Sequence, residues 1–273
     1  MTTHSSLSVS CDTVPRPPDV MEEPHDETFA DLFLSVLRDL GCALESDDAI
    51  LDFGCGEGRQ VTALRARGYR AFGVDVYDRS AAAFAQCLNS GFCGRHEQIF
   101  SAAELVPYRL PYDEGAFAVV FSNQVMEHVQ DWGAALAEIH RVLRPGGVMV
   151  HFFPSRWRVI ESHVHVPLAS VFQGLPYLKA WAWLGVRTAA QKHLSWEVVA
   201  RANHQYLTTR TNYLSKSQIQ RYAERQFGNV RFAEDVFIRH TTGSARKLRP
   251  LLRLPGIATL FSAFHRRVIT CHR

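Results

Sequence analysis

The chain has 273 residues, of which 47% are hydrophobic and 21% charged, with a formal net charge of +3 at pH 7. This composition is typical of a globular protein, which argues against collagen, a coiled coil or extensive disorder, and the small net charge gives no reason to expect nucleic-acid binding. The six cysteines include no C-x-x-C pair, so neither a zinc ribbon nor a secreted disulfide framework is indicated. We therefore expect a reducing, cytoplasmic location.

The two ends of the chain differ in charge. Residues 1–27 lack the basic and apolar regions of a signal peptide, and they are expected to form a disordered acidic tail. No acidic residue follows Asp235, whereas eight Lys or Arg residues do. The basic C-terminal segment, 242–273, is therefore expected to be either a solvated face or a peripheral contact with anionic lipid head groups.

The spacing of apolar residues predicts strands that alternate with helices. Helices are expected at 28–40, 59–67, 79–88, 132–143 and 215–227, and strands at 49–53, 70–74, 98–100, 116–122, 148–153 and 230–238. Such alternation is typical of βαβ units, whose right-handed crossovers predict a doubly wound parallel sheet. Near the end, an amphipathic basic helix is expected at 245–264, broken at Pro255-Gly256, with a last short strand at 267–270.

An insert of about sixty residues, 154–213, interrupts this alternation. It contains four of the five tryptophans and is longer than ordinary connecting loops. We therefore expect a lid or substrate-binding element, whose aromatic residues either pack onto the sheet or surround a hydrophobic acceptor.

A glycine loop follows the first predicted strand, in the sequence Asp52-Phe-Gly-Cys-Gly-Glu-Gly58. Glycines allow the backbone to turn tightly and to approach a ligand closely, and the helix that follows points its N–H groups into the same crevice. Asp75 ends the second predicted strand, 21 positions after Gly54, where a carboxylate can accept both hydroxyls of a ribose. Together these features indicate a nucleoside-containing cofactor.

The spacing G-x-G-x-G differs from the G-x-G-x-x-G loop typical of dinucleotide enzymes. Asp52, at the end of the strand before the loop, would repel a pyrophosphate but suits a cationic ammonium or sulfonium ligand. A NAD-dependent oxidoreductase is therefore the weaker alternative.

Five motifs occur in an order that is shared with a known family. They are Asp52-Phe-Gly-Cys-Gly-Glu-Gly58, Gly73-Val-Asp-Val76, Leu110-Pro-Tyr-Asp-Glu-Gly-Ala-Phe117, Ser122-Asn-Gln-Val-Met-Glu-His-Val129 and Glu138-Ile-His-Arg-Val-Leu-Arg-Pro-Gly-Gly147. In these motifs the sequence resembles the class I S-adenosylmethionine-dependent methyltransferases, in particular the type 11 domain of quinone-biosynthesis methylases. The resemblance implies an α/β fold with a Rossmann-like, doubly wound sheet of seven strands in the order 3-2-1-4-5-7-6. The methyltransferase domain would span 28–241, with the insert after strand 5.

The resemblance also implies where S-adenosylmethionine binds. The residues that would hold the methionine end are Asp52, Gly54, Cys55, Gly56 and Gly58, and the segment beside its amino group would contain Ser122 and Asn123. Asp75 would bind the ribose hydroxyls, and Val76 would pack against the adenine. Where the family usually has an Asp that contacts the adenine amine, this chain has Ser101-Ala-Ala-Glu104, so that Ala102 replaces the acid beside Ser101.

Candidate bases follow the fourth and fifth predicted strands. The proposed catalytic residues are Glu127, His128 and His163, which lie on two segments leaving the same edge of the sheet. If 124–128 were helical, Gln124, Glu127 and His128 would share one face and, with His163 or His165, could bind a divalent metal. The neutral Gln124 makes a hydrogen-bonding pair of Glu127 and His128 the preferred interpretation, with no metal.

These observations predict an S-adenosylmethionine-dependent methyltransferase that acts on a small-molecule or lipid-linked acceptor, with oxygen favoured over nitrogen or carbon. A non-catalytic binding module with the same fold is one alternative, and the replacement at Ala102 favours it. An RNA methyltransferase is another, but the chain has no recognisable RNA-binding module and little net charge.

Overall fold

The computed structural model describes residues 26–76, 93–96 and 109–273, of which 26–28, 76 and 93–96 are described by their backbone alone. Within these residues the α-helices are α1 Asp26–Asp39, α2 Arg59–Ala66, α3 Trp132–Val142, α4 Leu175–Trp183, α5 Trp196–Arg210, α6 Lys216–Phe227, α7 Glu234–His240 and α8 Ile257–Phe264. The strands are β1 Ala49–Phe53, β2 Arg70–Val76, β3 Cys93–His96, β4 Phe117–Asn123, β5 Leu143–Pro154, β6 Arg231–Phe232 and β7 Arg266–His272. None of the described helices is long and apolar enough to cross a bilayer.

The strands form one sheet in the order β3-β2-β1-β4-β5-β7-β6. The first five pair in parallel, and β7 runs antiparallel to both β5 and β6. This arrangement confirms the predicted fold class and strand order. The last strand of the chain lies inside the sheet, so the end of the basic C-terminal segment is a structural part of the fold.

Both faces of the sheet are covered by helices. On one face α1 places Phe29 and Phe33 against Phe121 and Phe152 of β4 and β5, with ring centroids of Phe33 and Phe121 4.2 Å apart. On the other face α3 and α6 bury Trp132, Leu136, Ile139, Ile219 and Phe227. Each such fully buried large side chain contributes about 1.5–3 kcal/mol of hydrophobic stabilisation, so the two cores hold the carboxyl ends of the strands in fixed positions.

The described residues group into two compact units. The insert unit comprises residues 160–210, and the sheet unit comprises the other described residues, 26–76, 93–96, 109–159 and 211–273. The insert unit has a small core of its own, in which α4 and α5 contribute Leu178, Val199 and Leu207. Its Trp183 and Leu184 are 70% and 62% exposed.

One predicted strand is wrong in the structure. The strand predicted at 230–238 is the two-residue β6 followed by α7, because Glu234 and Asp235 favour the first turn of a helix and Arg239 and His240 its last turn. The third strand in the structure is β3 at Cys93–His96, whereas the strand predicted at 98–100 and the helix predicted at 79–88 lie outside the described residues. The helix predicted at 245–264 is a 3₁₀ segment, Ser244–Arg253, followed by α8, with the expected break between them.

Candidate active site

The glycine loop between β1 and α2 has a backbone that only glycine adopts without strain. Gly54, Gly56 and Gly58 all have positive φ, at +81°, +53° and +75°. A Cβ added at Gly54 would overlap both methyl groups of Val125, which lies in the segment after β4. The loop therefore depends on glycine for its backbone conformation and also for its close contact with the end of the neighbouring strand.

Asp75 lies where its carboxylate can reach this loop. It stands two residues beyond Gly73, which pairs in register with Asp52, and its Oδ2 accepts a hydrogen bond from the Gly56 N–H. The loop and the end of β2 are thus in direct contact in the structure.

Two carboxyl groups meet at the ends of β1 and β2. Asp52 is 3% exposed, and its burial, followed by the nearby charge of Asp75, raises the pKa of Asp52 well above its ordinary value. Ionised Asp52 is therefore costly in the unliganded protein. A cationic group bound beside it would offset that cost, and this electrostatic environment favours a sulfonium or ammonium ligand over a pyrophosphate.

Cys55 has a packing role within the loop. Its side chain is buried against Gly73, where a Cβ would approach the Cys55 Sγ to 2.6 Å, and its N–H donates to the Val74 carbonyl at 3.1 Å. Burial, with smaller effects of Asp52 and Asp75, raises the pKa of the Cys55 thiol. The group is therefore a neutral thiol that helps to set the loop against β2.

At the end of β4 the predicted cofactor residues make contacts within the sheet. Ser122 is fully buried, and its Oγ lies 2.7 Å from Nδ1 of His151 on β5. Burial lowers the pKa of His151 to about 3, so this pair is neutral at physiological pH. Asn123 Oδ1 accepts a hydrogen bond from Nη1 of Arg266, the first residue of β7, at 3.3 Å.

The segment after β4 is not the helix on which the metal-binding alternative depended. Gln124 has φ +59°, an uncommon backbone conformation for a residue other than glycine, and only Met126–His128 forms a 3₁₀ turn. Gln124, Glu127 and His128 therefore do not share a helical face. Strain at the end of a central strand is a feature of functional sites, and sequence spacing does not report it.

Glu127 and His128 lie together in this turn. Glu127 is 1% exposed, and its Oε1 lies 4.0 Å from Nε2 of the partly exposed His128. Asn212, which precedes α6, holds the segment: its N–H donates to the Glu127 carbonyl at 2.6 Å and its Nδ2 to the Val129 carbonyl at 2.9 Å. Sequence analysis missed Asn212, because no local pattern marks a residue that acts on a segment 85 positions away.

His163 lies in the insert unit and is held by an acid. Its Nδ1 lies 2.7 Å from Oε1 of the buried Glu161, while Oε2 of Glu161 accepts from the backbone N–H groups of His163 and Val164. A carboxylate accepts hydrogen bonds, so this contact places the proton on Nδ1 and leaves Nε2 as the basic nitrogen of His163. The surrounding segment is a turn, in which His165 has φ +60°.

Three other predicted residues are described less fully. Val76 is the last residue of β2, and Ser101 and Ala102 lie outside the described residues. The replacement of the adenine-contacting acid by Ala102 therefore stays a prediction from the sequence.

Residues 51–151 match a family model described as a methyltransferase domain. The sequence is 34% identical over 99 residues to the ubiquinone biosynthesis O-methyltransferase of Pseudomonas aeruginosa (strain UCBPP-PA14), covering 36% of this chain and 40% of that protein. It is 30% identical over 134 residues to the malonyl-[acyl-carrier protein] O-methyltransferase of Salmonella typhimurium, covering 43% of this chain and 47% of that one. The chain thus spans less than half the length of these curated relatives.

Among solved structures, a Haemonchus contortus phosphoethanolamine N-methyltransferase 2, in complex with phosphomonomethylethanolamine and S-adenosylhomocysteine, aligns with a TM-score of 0.49. The alignment covers 88% of this chain and 52% of that chain at 15% sequence identity.

Proposed function

We propose that this chain, in which residues 51–151 match a methyltransferase domain model, is an S-adenosylmethionine-dependent enzyme that transfers a methyl group to an oxygen atom of a small-molecule or lipid-linked acceptor. The observation that carries the proposal is the pair of carboxyl groups, Asp52 and Asp75, around a glycine loop whose backbone is entirely left-handed at its glycines. When bound, S-adenosylmethionine supplies a methyl group on a positively charged sulfonium. The match to the domain model and the two O-methyltransferase relatives support the choice of reaction and of oxygen.

Each proposed binding residue has a distinct task. Asp52 offers a buried negative charge to the cationic methionine end, and the Gly54–Gly58 loop lets the backbone approach it. Asp75 accepts hydrogen bonds from the ribose hydroxyls, for which its carboxylate would turn away from the Gly56 N–H. Val76 packs on the adenine, and Asn123 lies beside the methionine amino group.

The protein's remaining task is to align the acceptor and, where its hydroxyl is weakly acidic, to remove the proton. Alignment is the larger contribution, because methyl transfer requires the reacting atoms to lie in line. His163 is the favoured base, since Glu161 fixes its tautomer with Nε2 able to accept a proton. Glu127 and His128 form the second candidate pair, on the segment after β4.

The basic C-terminal segment supports a peripheral membrane contact, which suits a lipid-linked acceptor. The exposed apolar residues there are Leu251, Leu254, Leu260 and Phe264, and the exposed Lys and Arg residues beside them are Arg246, Lys247, Arg249 and Arg253. We expect sedimentation with phosphatidylglycerol vesicles, weaker sedimentation with phosphatidylcholine, and loss of binding in an Arg246→Gln/Lys247→Gln variant. Protein that stays in the supernatant with both vesicles would refute this part of the proposal.

The test of the donor site is calorimetric titration with S-adenosylmethionine, S-adenosylhomocysteine and NAD. Binding of the first two and not of NAD is expected. Asp75→Ala should weaken S-adenosylhomocysteine binding by about a hundredfold, because it removes a charged acceptor of two hydrogen bonds. Asp113→Ala, at an acid of the sheet unit with no proposed contact to the donor, is the matched control. Undiminished S-adenosylhomocysteine affinity in Asp75→Ala would refute the role of Asp75. A folded wild-type protein that binds neither S-adenosylmethionine nor S-adenosylhomocysteine would refute the proposed function.

A further inference from the structure

An open cleft of about 510 Å³ lies in the sheet unit, at the end of β5. Its walls come from three segments: the residues directly after β5, the N-terminus of α6, and the corner between α8 and β7. The lining residues used below are Arg156, Trp157, Ser215, Lys216, Ser217 and Arg267. We call this cavity the basic cleft.

Hydrogen bonds join two of the walls to each other and order the third internally. Ser155 donates through its N–H to the His265 carbonyl at 3.2 Å and through its Oγ to the Ala263 carbonyl, which ties the exit of β5 to the α8–β7 corner. At the start of α6, Ser215 and Gln218 form a reciprocal capping box. The cleft is therefore formed without a ligand, and an occupant would not have to order it.

The charge of the cleft favours an anion. Arg156, Lys216 and Arg267 line it, and no acidic side chain is among the described residues that do so. The first turn of α6, a helix of 12 residues, adds its positive dipole end and the hydroxyl of Ser217. A ligand with a doubly charged phosphate group matches this set of donors.

Arg267 gives independent evidence for an anionic ligand. It is 5% exposed, and its Nη1 donates to Ser262 Oγ at 2.5 Å, which in turn contacts Glu234. Its Nε, in contrast, has no hydrogen-bond acceptor among the described residues. A buried guanidinium donor without an acceptor is costly in an apoprotein, and a bound anion would supply the missing acceptor.

The basic cleft lies at the edge of the sheet where the donor site is proposed. Asn123, at the end of β4, contacts Arg266, and Arg267 is the next residue in β7. Two strand spacings of about 4.8 Å separate β1 from β5, so the two strands that lead to the glycine loop and to the cleft are about 10 Å apart across the sheet. A ligand anchored there could extend toward the methyl donor.

We infer that the basic cleft binds the phosphate-ester group of the methyl acceptor, with a planar or apolar part of that molecule against the indole of Trp157, which is 45% exposed. The identification of the ligand as the methyl acceptor rests on the proposed function, but the anion site itself does not depend on it. The same chemistry belongs to a soluble phosphate monoester and to the head group of a phosphatidic-acid-type lipid.

The test uses the full chain without donor, titrated calorimetrically with phenyl phosphate, with phenol, and with vesicles of phosphatidylcholine with and without phosphatidic acid. Phenyl phosphate should bind and phenol should not. Lys216→Gln and Arg156→Gln should each weaken phenyl phosphate binding by about tenfold. Lys192→Gln, an exposed lysine of the insert unit, should leave it unchanged.

Binding of phosphatidic acid vesicles that is lost in Lys216→Gln, with no response to phenyl phosphate, would also support the cleft and assign its ligand to a lipid. Absence of both responses at millimolar ligand, or equal binding by wild type and both cleft variants, would overturn the inference. S-adenosylhomocysteine binding, measured in the same variants, should be unaffected. Its absence together with intact phenyl phosphate binding would contradict the proposed function and leave the anion site standing.

Discussion

The contact between Gly54 and Val125 gives a prediction whose size follows from the structure. In Gly54→Ala, the alanine must adopt a backbone φ of +81°, which costs about 1–2 kcal/mol for a residue other than glycine. It must also displace both Val125 methyl groups, and overpacking of this kind costs about 1–3 kcal/mol more. The free energy of unfolding should therefore fall by about 2–5 kcal/mol.

Gly41 provides a matched control for the backbone part of this cost. It has the same φ of +81°, and a Cβ there would meet nothing within 4 Å. Gly41→Ala should therefore destabilise the protein by only about 1–2 kcal/mol. It should also leave donor binding unchanged, because Gly41 lies at the end of α1, outside the proposed donor site.

Val125→Ala separates the steric part. Added to Gly54→Ala, it removes the overlapping methyl groups and leaves only the Val125 Cβ, at 3.0 Å. In urea denaturation, a double-mutant cycle should give a favourable coupling of about 1–3 kcal/mol. The reasoning would be refuted if Gly54→Ala cost no more than Gly41→Ala, or if Val125→Ala gave no rescue.

Two further predictions concern buried ionisable groups. Asp52→Asn should raise the free energy of unfolding at pH 7 by about 1 kcal/mol while weakening S-adenosylhomocysteine binding. Because the pKa of Asp52 is raised in the folded protein, this carboxyl destabilises the fold once the pH exceeds the ordinary pKa of Asp, so the gain should disappear below about pH 4. A gain independent of pH would contradict this account. Because its pKa is lowered to about 3, His151 stays neutral in the folded protein while the same histidine in the unfolded chain takes up a proton. The free energy of unfolding should therefore fall by up to about 5 kcal/mol as pH falls from 6.5 toward 3. In denaturation measured over this pH range, His151→Asn should reduce the loss of stability at acid pH. His193→Gln, at an exposed histidine, should leave that loss unchanged.

The fold could be predicted from the sequence, as could the positions of the glycine loop and Asp75 on which the proposed donor site depends, because their signals are local. A buried strand, a turn that needs glycine and an acid at the end of the next strand are each determined by a few consecutive residues, and β1, α2 and α3 begin where the sequence predicts. The secondary structure of short apolar runs without such local signals is ambiguous. At 230–238, for example, the spacing of apolar residues over so short a segment cannot distinguish a helix from a strand.

The order of residues along the chain therefore determined that β1, its glycine loop and Asp75 belong to one βαβ unit. Only the tertiary structure decided which distant residues complete the surroundings: Val125 against Gly54, Asn212 on the Glu127 segment, and the basic cleft assembled from residues 156, 216 and 267. The physical reason is that backbone conformation responds to neighbours in sequence, whereas steric contact, burial and electrostatics depend on distances that exist only once the sheet has formed.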